Sequence, residues 1–326
     1  MNVASGGFFR ARGIGTLALL LTVVLPVQTH AQSSETTAIV YPEASTIDHL
    51  PTLAPTTRFV DHALSPPPTA SIQAGRGIFN IDAFLQICPQ DDLTYVAIRT
   101  DFTIRRNGTI VDAIPCKAPI FTAMGSADIT DELLVAQTLR VIYYLDRDHP
   151  GSLPWTPNTF YDWLKGQIGG INIDDTATTS FCCTVIGGRR YIHTRAQTFG
   201  PPFPVSFLMG IPFISGRIAL YGHEARHVDG FPHSSCCGVT NGCDGKYDVT
   251  NLSPYGMQYW IFAAFLDGTF DVGIACLDSK RQDEFAGDMA RAANLYPSLF
   301  CSSPPPALLP VRLPPTQCGR RRAVRH

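Results

Sequence analysis

Apolar and polar residues follow two different periods along this chain, and the changes from one to the other mark out its elements. Thr94 to Arg99, Phe102 to Arg106 and Thr109 to Ala113 are short apolar and β-branched runs that predict strands. The last two flank Asn107-Gly108, a pair suited to the type I′ turn of a hairpin. From about Asp128 to Arg147 the pattern widens to a helical one. Leu133, Leu134, Leu139, Ile142, Tyr143 and Leu145 make a broad apolar face, and acidic residues stand at the start, where the helix dipole favours them. Thr156-Pro157 reads as the N-cap and first residue of a second helix, running through Trp163 to about Gln167. A second hairpin is predicted from Cys182 to Ile186 and Arg190 to Thr194, around Gly187-Gly188. Helical patterns then cover Phe213 to Asp229, Tyr255 to Leu266 and Ser279 to Tyr296. In the last, Phe285, Met289, Ala292 and Leu295 fall on or near one face, as core residues do.

The two ends read differently from this middle. Arg10 and Arg12 precede an apolar run from Gly13 to Val27, and Thr29-His30-Ala31 offers a small residue before Gln32, so residues 1–31 are expected to be a cleaved signal peptide. The run is short for a membrane anchor and is interrupted by Pro26, so no membrane span is expected once the signal is removed. The mature protein is then secreted or periplasmic. Residues 32–75 are rich in Pro, Thr, Ser and Ala without a period, a linker or propeptide composition; Asp48 and Asp61 lie in it, with nothing to mark either as a latency switch. The folded domain is expected over 76–300, followed by a Pro-rich tail over 301–326 that ends in an Arg cluster and has the composition of disorder.

Charge and cysteine content narrow the picture. A formal net charge of −2 gives no case for a nucleic-acid partner. All ten cysteines follow the signal segment, which agrees with disulfides formed in an oxidising compartment; Cys236, Cys237 and Cys243 crowd one loop. The sequons at Asn107 and Asn251 have meaning only in a eukaryotic secretory pathway.

The candidate chemistry lies in Tyr221-Gly222-His223-Glu224-Ala225-Arg226-His227-Val228-Asp229-Gly230-Phe231-Pro232-His233, which contains HExxHxxGxxH. Histidines four apart on a helix share a face, so His223 and His227 can ligate one Zn²⁺. Glu224, about 100° round the helix from His223, reaches a water at the metal without being a ligand, the position of a general base. A third ligand six residues after His227 requires the chain to turn back. Gly230 can take a left-handed C′ conformation, Pro232 discourages further helix, and His233 then returns to the metal, leaving the fourth position open as catalytic sites do.

This motif resembles the zinc site of the metzincin metallopeptidases. The resemblance implies an α+β metzincin-like zincin, with a small sheet or hairpins, a zinc-binding active-site helix and, in this chain, disulfides. It further implies a methionine turn beneath the metal, for which Met257 in Ser253-Pro254-Tyr255-Gly256-Met257 is the candidate; a buried helix with Met257 in the core fits the same residues. Tyr259 stands two residues later, where some metzincins carry a tyrosine that contacts the zinc or the reaction intermediate. An edge strand before the zinc helix binds extended substrate in that family, which points to the hairpin around Gly187-Gly188; a purely structural hairpin fits the same residues and is favoured by them. His193 in it has no assigned role. Arg226 and Asp229 depart from the family's small and large apolar residues, and can pair with each other across one helical turn.

The expected function is a secreted zinc endopeptidase acting on a peptide or protein substrate. Two others remain open: a zinc hydrolase of non-peptide amides or esters, and a non-catalytic binding module whose zinc is closed by a fourth protein ligand from Asp229, Asp244, Asp248 or Tyr259.

Overall fold

The computed structural model describes residues 80–118, 120, 129–147, 151–178, 180–195, 211–234 and 242–313. The signal segment, the linker over 32–75 and residues 314–326 lie outside the described residues, as do Cys236, Cys237 and Cys318. Helix α1 (Ile81–Leu85) and α2 (Tyr95–Asp101) lead into β1 (Thr103–Arg106) and β2 (Thr109–Ile110). Then follow α3 (Asp131–Tyr144), α4 (Phe160–Gln167), β3 (Gly170–Asp174), β4 (Phe181–Ile186), β5 (Arg189–Arg195) and α5 (Ile211–Val228). The chain continues through β6 (Asp244–Lys246), α6 (Pro254–Asp267), α7 (Ser279–Ala293) and β7 (Phe300–Ser302). The architecture is α+β with a small main sheet, in agreement with the expected class.

The main sheet has the order β2-β1-β3-β5-β4. β1, β3 and β5 are parallel, while β2 and β4 are antiparallel edge strands joined to their neighbours by hairpins. Both hairpins form where expected. Their turns place two successive residues at positive φ, Asn107 and Gly108 at 50° and 82°, and Gly187 and Gly188 at 58° and 79°. Ile104, Ile171 and Ile192 stand opposite one another across the three parallel strands and are buried. Helix α3 packs against β1 and β3, α5 against β4 and β5, and the two helices touch each other. The largest helix contact is between α5 and α6, with α7 beyond it.

Three elements differ from expectation. The run Thr94 to Arg99 is not a strand but the start of α2: Tyr95, Ile98 and Phe102 are buried while Val96 is exposed, a spacing of three and four that a six-residue window cannot separate from alternation. Helix α4 begins at Phe160 rather than at Pro157. Thr159 caps it by accepting from the Asp162 amide, while Thr156 Oγ1 accepts from Asn158 N in the turn before. The expected tail is ordered in its first part. Phe300–Ser302 pairs parallel with β6, Asn294 holds both the amide and the carbonyl of Leu308, and Leu313 is buried.

Cys88 and Cys116 are bridged, with Cα atoms 5.7 Å apart, and the adjacent Cys182 and Cys183 are bridged to each other in β4. Cys243, Cys276 and Cys301 are disulfide-bonded as well. Among the described residues no helix is long and apolar enough to cross a membrane.

Candidate metal centre

Helix α5 carries the first two histidines of the motif and ends as the glycine pattern requires. Gly230 has φ +89°, its amide donates to the His227 carbonyl, and the Phe231 amide donates to the Arg226 carbonyl. These two bonds form a Schellman motif, which turns the chain sharply back. The contact that usually accompanies it, between the residue after the glycine and the last turn, is supplied by the Arg226 guanidinium 3.7 Å above the Phe231 ring. Arg226 also donates to Asp229, as its spacing suggests, and to the Leu252 carbonyl, and Asp229 accepts from Trp163 Nε1 of α4. The two residues that depart from the family pattern thus brace the end of the helix.

The turn brings His233 to His223 and His227, and one ligating atom from each lies within 4.8 Å of the others. Each imidazole is fixed by its Nδ1. That of His223 lies 2.8 Å from Gln258 Oε1, that of His227 2.7 Å from the Phe231 carbonyl, and that of His233 2.9 Å from Asp244 Oδ1. Carbonyls and carboxylates only accept, so every Nδ1 carries a proton, and the Nε2 of each neutral imidazole presents a lone pair. His223 Nε2 and His227 Nε2 are 3.2 Å apart. Two lone pairs at that distance repel unless a cation lies between them. Tetrahedral ligands at a Zn–N length of about 2.05 Å would stand about 3.3 Å apart.

Protonation is not a substitute for that cation. Burial, followed by the neighbouring imidazoles, holds His223 well below the ordinary histidine range, and burial and then His233 bring His227 down to about 4. The residues therefore fit a borderline-soft divalent ion such as Zn²⁺. Nδ1–H bonded to carbonyl or carboxylate oxygen is the outer arrangement that metal-ligating histidines use.

Helix α6 forms the floor of this group. Gly222 lets it approach: a Cβ there would lie 3.0 Å from Met257 Cγ and 2.7 Å from Ile261 Cδ1. Met257 is fully buried in the first turns of α6, so it occupies a helix rather than a turn, against the helix residue that precedes His223. Tyr259 gives its hydroxyl to the Pro306 carbonyl and packs on Tyr247. The tyrosine brought to the histidines is Tyr255, stacked on His233 at 4.5 Å and edge-on to His223 at 4.9 Å. Glu224 follows His223 on α5 and is buried.

The four residues that could close the site have other engagements. Asp229 is held by Arg226 and Trp163, Asp244 by His233 and the Tyr255 amide, Asp248 by Thr250, and Tyr259 by Pro306. His193 lies in a separate chain of hydrogen bonds, with Nε2 on Asp174 Oδ2 and Nδ1 on Thr184 Oγ1. Gln258 and Tyr255 were not marked by the sequence motif, and Asp244 was marked only as a ligand. The one signal available for them is the general need of each metal-bound imidazole for an acceptor at its other nitrogen.

Comparison of the chain with family models, with curated proteins and with solved structures finds no match.

Proposed function

We propose that this chain is a secreted zinc-dependent hydrolase of the metzincin kind, acting on peptide bonds. The observation that carries the reading is the convergence of three histidines, each with its Nδ1 held by an acceptor, while Asp229, Asp248 and Tyr259 are engaged elsewhere and Asp244 meets the group through the Nδ1 of His233. Zn²⁺ held there by His223, His227 and His233 would supply Lewis-acid polarisation of a carbonyl and would lower the pKa of a water toward about 7. Glu224 accepts a proton from the attacking water as its oxygen bonds to the carbonyl carbon. It returns the proton to the leaving nitrogen as the C–N bond breaks. His223, His227 and His233 hold the site, and Arg226 and Asp229 fix the turn that delivers His233.

The sheet supports a placement for the substrate. β4 is an antiparallel edge strand contacted by α5, with Phe181 and Val185 exposed along it. An extended peptide can add to such an edge through main-chain hydrogen bonds, the use that metzincins make of theirs. The disulfides accord with a secreted or periplasmic location.

A second reading, hydrolysis of a non-peptide amide or ester, is favoured by Met257 lying inside a helix and by Arg226 and Asp229 in the motif. A closed structural zinc is disfavoured by the engagements of Asp229, Asp244, Asp248 and Tyr259.

The test measures metal content of the purified protein and cleavage of an unstructured protein, with and without chelator, beside a Glu224→Gln variant. One zinc per chain and cleavage lost on chelation and in the variant are expected. Undiminished hydrolysis by Glu224→Gln would remove the mechanism, and turnover of amides or esters alone would favour the second reading.

A further inference from the structure

Asp244 stands apart from the other two acceptors of the triad. Gln258 Oε1 and the Phe231 carbonyl are neutral, whereas Asp244 offers a carboxylate whose side chain is 0 % exposed. Its two oxygens serve two donors: Oδ1 takes the Nδ1–H of His233 at 2.9 Å, and Oδ2 takes the backbone N–H of Tyr255 at 2.7 Å, in the first turn of α6. Tyr255 then stacks its ring on His233, so the imidazole is held both in its plane and on its face. Three residues further along α6, Gln258 holds His223. One short stretch of α6 thereby ties a helix-borne ligand to a loop-borne one, and Asp244 is its link to the loop.

The loop-borne ligand has most need of this. His223 and His227 are positioned by the helix backbone of α5, whereas His233 follows a turn and, among the described residues, is placed by its side-chain partners and the bridge between Ser234 and Cys243. An anionic acceptor at Nδ1 fixes the tautomer and raises the basicity of Nε2 more than a neutral carbonyl does. Asp244 also places a negative charge near a divalent ion in a buried site, where opposite charges interact strongly.

We infer that Asp244 is the positioning residue of the third ligand: it sets the tautomer of His233, strengthens it as a donor and couples it to the N-terminus of α6. The inference rests on the metal reading above. Its chemistry makes Asn an informative replacement. Asparagine has one acceptor oxygen and one amide that donates, so it satisfies either His233 or Tyr255 and turns a donor toward the other.

The test compares wild type with Asp244→Asn in two measurements. One is the affinity for Zn²⁺ and for Co²⁺, by competition with a chromophoric chelator. The other is the ¹⁵N spectrum of the histidine side chains in the metal-free proteins, which reports tautomers without activity or metal. The expected result is a wild-type His233 in the Nδ1–H form and a variant whose His233 departs from it, while His223 and His227 stay unchanged. Metal affinity should fall about 10- to 100-fold. A wild type that binds metal and a variant equal to it in affinity and in the His233 spectrum would overturn the role of Asp244 alone. A wild type that takes up no metal would overturn the metal reading and this role together. If Asp244→Asn does not fold, the wild-type spectrum decides: His233 in the Nε2–H form overturns the inference, and in the Nδ1–H form supports it.

Discussion

Met257 occupies the space that Gly222 leaves open. A Cβ on Gly222 would meet Met257 Cγ at 3.0 Å and Ile261 Cδ1 at 2.7 Å, so the two helices that carry and support the histidine group are as close as a missing side chain permits. Gly222→Val fills that space with branched carbon. Overpacking of this kind costs about 1–3 kcal/mol, and here it forces α6 away from α5 at the residue before His223. The expected outcome is a lower unfolding midpoint together with weaker metal binding, read by denaturant titration and chelator competition. Lost stability with unchanged affinity would mean that the Met257 contact is packing alone.

Gly230 carries the return of the chain at φ +89°, and among the described residues beyond its chain neighbours no heavy atom lies within 4 Å of where its Cβ would be. Gly230→Ala therefore meets no steric neighbour and tests the backbone by itself. A non-glycine residue in the left-handed region costs about 1–2 kcal/mol. His233 depends on this turn, so the cost should be larger in the metal-loaded than in the metal-free protein. Thermal melts with zinc and with chelator measure that difference, and equal losses in the two would place the turn outside the metal site.

Arg226 and Asp229 form a pair at 2.7 Å with the arginine side chain 7 % exposed. Arg226→Met leaves Asp229 with Trp163 and leaves the Leu252 carbonyl without the guanidinium. Removing one partner of a pair this buried is expected to cost about 3 kcal/mol. A double-mutant cycle with Asp229→Asn should give a coupling above about 1 kcal/mol. Additive losses would show that the pair does not act as a unit and that the guanidinium's contacts with the Leu252 carbonyl and Phe231 carry the effect.

The grouping of the three histidines and the turn at Gly230 were legible because their relation is local: a helix, one turn and a return are encoded within a dozen consecutive residues. Both hairpins were legible for the same reason, since Asn107-Gly108 and Gly187-Gly188 specify their turns directly. Gln258 and Asp244 were not, because their partners lie 35 and 11 residues away and meet only through the packing of α5 on α6 and the pairing of β6 with β7. Tyr255 rather than Tyr259 reaches the histidines because α6 begins at Pro254, which makes this stretch a helix and sets which residue faces α5. The order of 301–313 was hidden by composition: proline-rich chain reads as loose until Asn294 and Tyr259 are seen to bind its backbone.

Asp146 gives the fold a pH dependence that can be separated from the metal site. Its carboxylate accepts from the Phe160 amide at the start of α4, and burial, with a smaller contribution from Asp162, raises its pKa to about 6 against that hydrogen bond. The folded protein therefore holds this proton up to a higher pH than the unfolded chain, whose ordinary value is 3.8. Between the two values the native state binds more protons, so stability is fully present below about pH 4 and is lost as pH rises through 6. A shift of about two units corresponds to about 3 kcal/mol. Asp288, raised to about 6 by burial, acts in the same sense, whereas the buried His227 acts in the opposite one. The difference between wild type and Asp146→Asn isolates the one residue, since asparagine keeps an acceptor for Phe160 and does not titrate. Denaturant titrations at pH 4.5, 5.5, 6.5 and 7.5 on chelator-treated protein should show the variant gaining on wild type as pH rises, with the gain levelling off above about pH 6.5. Parallel curves across that range would mean that Asp146 is already ionised in the fold and that its bond to Phe160 offsets the cost of burial.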